Sequence, residues 1–263
     1  MAEGTHIDLG HAMITMVEPT RDPERLREYN RWYEHDHAYS GVMVGPWAFS
    51  FGRFVATKDL KTLRVPDPST VADPVTNGSF IGFYWYLADR VGEHFAWSFP
   101  QTQWLGEQGR MNADRDHVST SLYEFRGSVN RPEWPVPPEI ALDHPYKGVA
   151  AVWIDRADDA PYDSLDAWVR ETWLPTRLTA GSAVAQALVF APCDFPGVPD
   201  SGVGVGEKLL VACFLTADPR DVWESEFGSV ADSVAASGLG TLGLAAPFIP
   251  VIPGSETYLD ELW

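Results

Sequence analysis

Eight consecutive residues, Asn30-Arg31-Trp32-Tyr33-Glu34-His35-Asp36-His37, bring imidazoles, carboxylates, an amide and aromatic rings together. On a regular helix Asn30, Tyr33 and His37 fall at i, i+3 and i+7 and share one face. An imidazole titrates near neutrality and suits proton transfer, and a phenol beside it can orient or protonate an oxyanion. His35 and His37 are separated by about 200° around a helix, so they cannot grip one ion together while the helix stays regular. A metal would need outside ligands such as His11 or His94, and none is expected. His11 alternates with Leu9, Met13 and Thr15 in the first strand-like segment, a phase that can turn it towards the same interior. His37, Tyr33 and His11 form the candidate catalytic group.

Candidate substrate-binding residues lie around that group. They are Asn30, Trp32, Arg53, Tyr84, Trp85 and Tyr86. In a strand Tyr84 and Tyr86 face one way and Trp85 the other. Arg53 is an unusual charge in a strand and could bind a carboxylate or phenolate. Each has a plainer alternative: a helix histidine held by one hydrogen bond, a ring that fills the core, an arginine at an exposed edge. Glu93, His94 and His117 show no partner in the sequence and read as structural.

The elements that must position these groups follow in order. His6 to Val17 alternates weakly and reads as a strand. Thr20-Arg21-Asp22-Pro23 starts a helix, with Thr20 or Asp22 as cap and Pro23 in the first turn, running to about Tyr39. Trp47 to Thr57 is a strand, and the Pro-, Asp- and Thr-rich stretch from Leu60 to Gly78 is a surface excursion, a candidate lid. Ser79 to Ala88 is an aromatic strand. Asp89 caps a helix to about Glu107, bent or divided at Pro100, and His117 to Phe125 is a strand. Prolines crowd Arg131 to Pro145, which reads as a linker. The same order then returns. Gly148 to Ile154 is a strand, Ser164 to Leu178 a helix and Ala183 to Ala191 a strand. After a loop from Cys193 to Gly206 come a strand (Lys208 to Leu215), a helix (Asp221 to Ala236) and a strand (Leu242 to Val251).

The fold class is therefore α+β, with two tandem ferredoxin-like β-α-β-β-α-β repeats. Residues 1–130 form the repeat carrying the site, 131–145 the linker and 146–263 the second repeat. A gapless shift of 136 lays Trp32 on Trp168, Gly45 on Gly181 and Phe54 on Phe190, with Met13 on Val149. At that shift Tyr33 becomes Val169, His37 becomes Trp173, Asn30 becomes Asp166 and His11 becomes Lys147. The second copy keeps apolar residues and lacks the ionisable set, so its site reads as degenerate. One ferredoxin-like sheet has helices on one face only, and the other face needs a cover.

Asn30-x-Trp32-Tyr33-x-x-x-His37, followed by a Gly-rich turn and a strand ending Gly52-Arg53-Phe54, resembles the EthD-like branch of the dimeric α+β barrel proteins. In that branch an aromatic pair precedes a His, often followed by an apolar residue and Pro. Ala38-Tyr39 departs from that last step, while Leu174-Pro175 of the second half keeps it. The resemblance implies an α+β barrel closed within one chain, so a monomer, or an oligomer built from such pseudo-dimers. It also implies a small apolar or aromatic substrate. The expected function is cofactor-independent acid/base catalysis by a cyclase, isomerase, dehydratase or other lyase. The alternatives are cofactor-free oxygenation of a phenol, or binding without catalysis. Some members of the wider superfamily bind heme, which would demand an axial histidine.

Composition narrows the partners. A net charge of -18 over 263 residues repels nucleic acid, and no run of Lys and Arg offsets it. No apolar run approaches the roughly 18 residues that span a bilayer, and the polar start, Met-Ala-Glu-Gly, is not a signal peptide. Cys193 and Cys213 lack metal-site spacing and read as buried free thiols of a cytoplasmic protein. Neither a GxSxG, a strand-linked GxGxxG nor a P-loop occurs. Gly202-Val203-Gly204-Val205-Gly206 reads as a flexible loop, and no organic cofactor is expected.

Overall fold

The computed structural model describes residues 7–196 and 203–263. The expected strand start at His6 and part of the Cys193–Gly206 loop lie outside them. Among the described residues there are eight strands: β1 (Leu9–Pro19), β2 (Ala48–Val55), β3 (Phe80–Leu87), β4 (Arg115–Asn130), β5 (Gly148–Arg156), β6 (Val184–Pro192), β7 (Lys208–Leu215) and β8 (Gly240–Pro250). They close a barrel in the order β1-β3-β2-β8-β5-β7-β6-β4, with every pairing antiparallel. The helices are α1 (Pro23–Trp32), α2 (Lys58–Lys61), α3 (Val91–Glu107), α4 (Tyr162–Trp168), α5 (Leu174–Arg177), α6 (Pro219–Phe227) and α7 (Val230–Ala236). Two ferredoxin-like repeats thus form one intrachain α+β barrel. None of the described helices is long and apolar enough to cross a membrane.

The two faces of each strand serve different cores. Ala12, Ile14 and Met16 of β1 join Phe83, Trp85, Trp153, Phe190, Phe214 and Phe248 in the barrel interior. Met13 and Val17, one residue out of phase, face the helices of the first repeat with Tyr33, Tyr84 and Tyr86. A one-residue slip reverses every side chain, and this corrects the alignment of the halves. Val149 lies in the barrel interior and Met13 does not, so the gapless shift pairs opposite faces in the first strand. The comparison of His11 with Lys147 falls with it.

Helix α1 begins as its sequence dictates. The Asp22 carboxylate accepts from the backbone N–H groups of Glu24 (3.1 Å) and Arg25 (3.0 Å), with Pro23 at the first position. The expected regular helix to Tyr39 is corrected: after Trp32 the chain widens into two π-helical turns, Tyr33–His37 and Tyr39–Met43. The Ala38 N–H bonds to the Tyr33 carbonyl, five residues back. The second repeat widens at the equivalent place, Val169–Trp173, where the Leu174 N–H bonds to the Val169 carbonyl. Here the 136-residue shift holds.

The Leu60–Gly78 excursion is no surface loop. Leu60, Ala72 and Val75 are buried in the barrel core, and Val65 and Thr70 bond to the β8 backbone at Ala245 and Gly243. Its apolar residues plug one end of the barrel. The proline-rich linker covers the other, with Trp134 Nε1 donating to Tyr146 Oη, which donates to Gln186 Oε1.

Cys213 and Cys193 are free thiols. Burial pushes the Cys213 thiol up to about 12, and the thiolate is the reactive form. Native protein at neutral pH should therefore leave Cys213 unlabelled by a thiol reagent and release it only on unfolding. Stoichiometric labelling of Cys213 without unfolding contradicts this placement.

Candidate functional site

The wide turn decides which side chains meet. The i→i+5 hydrogen bond of this turn brings residues i and i+5 onto neighbouring positions of one helix face. Trp32 and His37 accordingly stack, with ring centroids 4.4 Å apart and planes 22° from parallel. The same step stacks Trp168 on Trp173 in the second repeat, at 6.0 Å and 17°. Single π-turns inside α-helices recur at functional sites.

Beside this stack is a cavity of about 650 Å³, between the outer face of the first repeat's sheet and its helices. This is large enough for a drug-sized ligand. Tyr33, His37, Gly41 and Val42 form one wall, Met13, Thr15, Tyr84 and Tyr86 the floor, and α3 another wall through Phe95, Phe99 and Gln103. β4 contributes Arg115, His117 and Thr120. The cavity therefore lies outside the barrel, whose interior is filled by apolar side chains.

Local sequence holds the wide turn in place. Ser98 Oγ and Gln101 Nε2 of α3 donate to the carbonyls of Gly41 and Ser40, each at 3.0 Å. Asp36 pairs with Arg110 and accepts from Ser40 Oγ. A Cβ at Gly45 would meet the Trp97 ring at 2.2 Å, so only glycine admits this approach of helix to turn.

Tyr33 Oη and Tyr84 Oη are hydrogen-bonded at 2.9 Å. Burial raises both phenols above their usual range, so they act as neutral donors. A Cβ at Gly82 would stand 3.0 Å from Tyr33 Oη, and glycine there leaves room for the hydroxyl. Burial, followed by the positive charge of Arg115, lowers His37 to about 3. Its Nδ1 is buried without a partner. A polar chain runs along the floor, from Thr15 Oγ1 to Thr120 Oγ1 (2.7 Å) and on to His117 Nδ1 (2.7 Å).

Of the nine residues singled out in the sequence, His37, Tyr33, Tyr84 and Tyr86 meet at this cavity. The others do not line it. His11 lies in the same strand phase as Met13, but further along β1 opposite Glu124. Burial lowers its pKa, and the charges of Glu124 and Asp89 oppose that. Trp85 is turned into the barrel. Trp32 backs His37 and donates from Nε1 to the Arg110 carbonyl at 2.7 Å. Asn30 is displaced from the Tyr33–His37 face by the wide turn. It is buried behind Tyr33, accepting from Arg53 Nη1 at 2.7 Å and donating to Glu34 Oε1 at 3.1 Å. Arg53 sits between the Tyr33 and Phe80 rings, 4.4 and 3.9 Å from their centroids. Arg115, not singled out in the sequence, and His117, read there as structural, both line the cavity. Their one signal is a shared strand phase at the start of β4.

The equivalent space in the second repeat is filled. Val169, Trp173, Ala150, Val152, Cys213, Trp223 and Phe227 belong to one buried apolar cluster. Among the described residues, no group of three His, Cys, Asp or Glu side chains is placed to hold a metal ion.

Neither a protein-family model nor a curated protein matches the sequence. Solved structures do match the fold over nearly the whole chain. An anthrone oxidase-like protein shares 10% identity, with 95% of each chain covered and a TM-score of 0.54. A dye-decolorizing peroxidase from Bacteroides thetaiotaomicron shares 12%, covering 94% of this chain and 96% of the other, TM-score 0.54. DypB of Rhodococcus jostii in complex with heme shares 11%, covering 99% and 98%, TM-score 0.51.

A heme in this cavity would need one of its two lining histidines, His37 or His117, as axial ligand. An axial histidine donates its second ring nitrogen to an acceptor that fixes the tautomer and orientation. His37 Nδ1 is buried with no such acceptor, so His37 does not fit that role, whereas His117 Nδ1 lies 2.7 Å from Thr120 Oγ1 and His117 is the lining histidine that could hold a heme. The strand order and these likenesses agree on the architecture: the chain has the ferredoxin-like α+β barrel fold, duplicated within one polypeptide.

Proposed function

We propose that this chain is a cofactor-independent enzyme that moves a proton on a small apolar or aromatic molecule bound in the first-repeat cavity. The observation that carries this reading is the convergence of a neutral imidazole and a hydrogen-bonded phenol pair on one largely apolar space. His37 accepts a proton from an acidic C–H or phenolic O–H of the substrate. The enolate or phenolate oxygen left behind accepts a hydrogen bond from the Tyr33–Tyr84 pair, donors placed where charge develops. Return of the proton at another position gives an isomerisation or cyclisation, and loss of a leaving group gives a lyase step. Cofactor-free oxygenation follows instead if the carbanion reacts with dioxygen. The EthD-like resemblance of Trp32, Tyr33 and His37 supports the same class, and the filled second repeat supports one working site per chain.

A second reading, binding without turnover, is favoured by the depressed basicity of His37, because a general base works best with a pKa near the working pH. Crystals soaked with phenols, aromatic acids and polyketide-like compounds, paired with assays of substrate loss and oxygen uptake, test both. Density beside His37 and Tyr33 with substrate consumed supports the enzyme, and density without consumption supports the binder. Density beside Trp173 overturns the site.

A further inference from the structure

We propose that the cavity selects an anion: an apolar or aromatic molecule carrying a carboxylate or a group of similar acidity, which pairs with the guanidinium of Arg115. The inference deepens the proposed function and rests on the same cavity being the substrate site.

The chain carries a net charge of -18, yet no Asp or Glu lines this cavity. Arg115 does, and it makes no ion pair among the described residues. One donor, Nη1, bonds to the Asn112 carbonyl, and the guanidinium carbon lies 5.1 Å from the centroid of the Trp32 ring. Of the acids on adjoining segments, Asp114 pairs with Arg25 and Asp36 with Arg110, while Asp116 is exposed and out of the strand phase that turns Arg115 and His117 to the cavity. The rest of the lining is apolar (Met13, Val42, Phe95, Phe99, Met111) or polar without a carboxylate. A cation without a counterion, beside apolar walls, favours a ligand with one negative pole and an apolar body. Arginine meets a carboxylate in a two-pronged, charge-assisted hydrogen bond.

The placement has a consequence for the chemistry. The charge of Arg115 is one of the two leading reasons that His37 stays unprotonated. A carboxylate on Arg115 cancels that charge and makes His37 a stronger base when substrate is present. Ligand charge thus serves both selection and activation.

The test compares 2-naphthoate, 2-naphthamide and 2-naphthylmethylammonium by tryptophan fluorescence titration. Wild-type protein should bind the carboxylate roughly 10- to 100-fold tighter than the amide and the ammonium weakest. Arg115→Gln should remove that preference while leaving amide affinity in place, and Arg115→Lys should keep most of it. Equal affinities for acid and amide in wild type, or a preference that survives in R115Q, overturns the proposal. Val42→Trp, which fills the cavity, separates the two levels. If it abolishes binding of both probes and wild type shows no preference, only the charge selection fails. If binding of both survives V42W, or no probe binds wild type, the cavity reading fails and takes this inference with it.

Discussion

Replacing His37 with alanine should lower turnover by roughly 10²-fold or more, the usual worth of a positioned acid or base, and change ligand affinity by only a few-fold. The imidazole is the group of the helix wall that can accept a proton at the cavity, and burial keeps it neutral. Its ring stacks on Trp32 and meets Tyr33 edge-on at 5.3 Å, so its orientation is fixed before substrate arrives. Alanine removes the proton acceptor and leaves the Tyr33–Tyr84 pair and the apolar walls. The effect should therefore appear in kcat rather than in KM. Tyr33→Phe, by contrast, removes one donor from the pair and should cost less than His37→Ala. An H37A protein that folds, by circular dichroism, and turns over at the wild-type rate sinks the assignment of His37 as base. Unchanged binding in a protein with no measurable turnover before or after mutation leaves the binding-only reading standing.

The order of elements was legible because period-2 and period-3.6 patterns survive in both halves. Barrel closure followed from the uncovered sheet face that one such unit leaves. The site was legible in part. Tyr33 and His37 fall i and i+4 apart, and they meet whether the turn is regular or wide. Asn30 does not, because widening after Trp32 rotates everything upstream of it, and no residue type in Tyr33–His37 announces an i+5 hydrogen bond. A trace was present in the paired aromatics Trp32/His37 and Trp168/Trp173, each five apart and related by the same shift. Trp85 carries the opposite strand phase from Tyr84 and Tyr86, so grouping all three as ligand contacts conflicted with its own alternation. The excursion from Leu60 to Gly78 was misjudged because prolines and aspartates hide the spaced apolar residues Leu60, Ala72 and Val75 that anchor it. Arg115 joins the cavity only through the pairing of β4 with β1, a contact distant in sequence from the helix motif.

Unfolding free energy should rise with pH between about 3 and 6.5, and His37→Asn should flatten part of that rise. The folded His37 sits near 3, against 6.5 for a free imidazole. Within that window the unfolded chain binds a proton that the folded chain does not, so stability increases with pH there and is lost on acidification. One such site gives a slope approaching about 1.4 kcal/mol per pH unit. Over the whole window that is roughly 4–5 kcal/mol at most. Burial also lowers His11 and His94, which adds to the wild-type slope with the same sign. Asp36, Asp59 and Asp218 are held below their usual value of 3.8, so their loss comes at lower pH. The discriminating range is therefore pH 4.5 to 7, measured by urea denaturation of wild type and H37N. Identical slopes in the two proteins, or an NMR titration of His37 centred near 6.5, contradict a buried neutral imidazole. The same titration with 2-naphthoate bound should move His37 upward, because an anion on Arg115 removes one of the charges that hold the proton off.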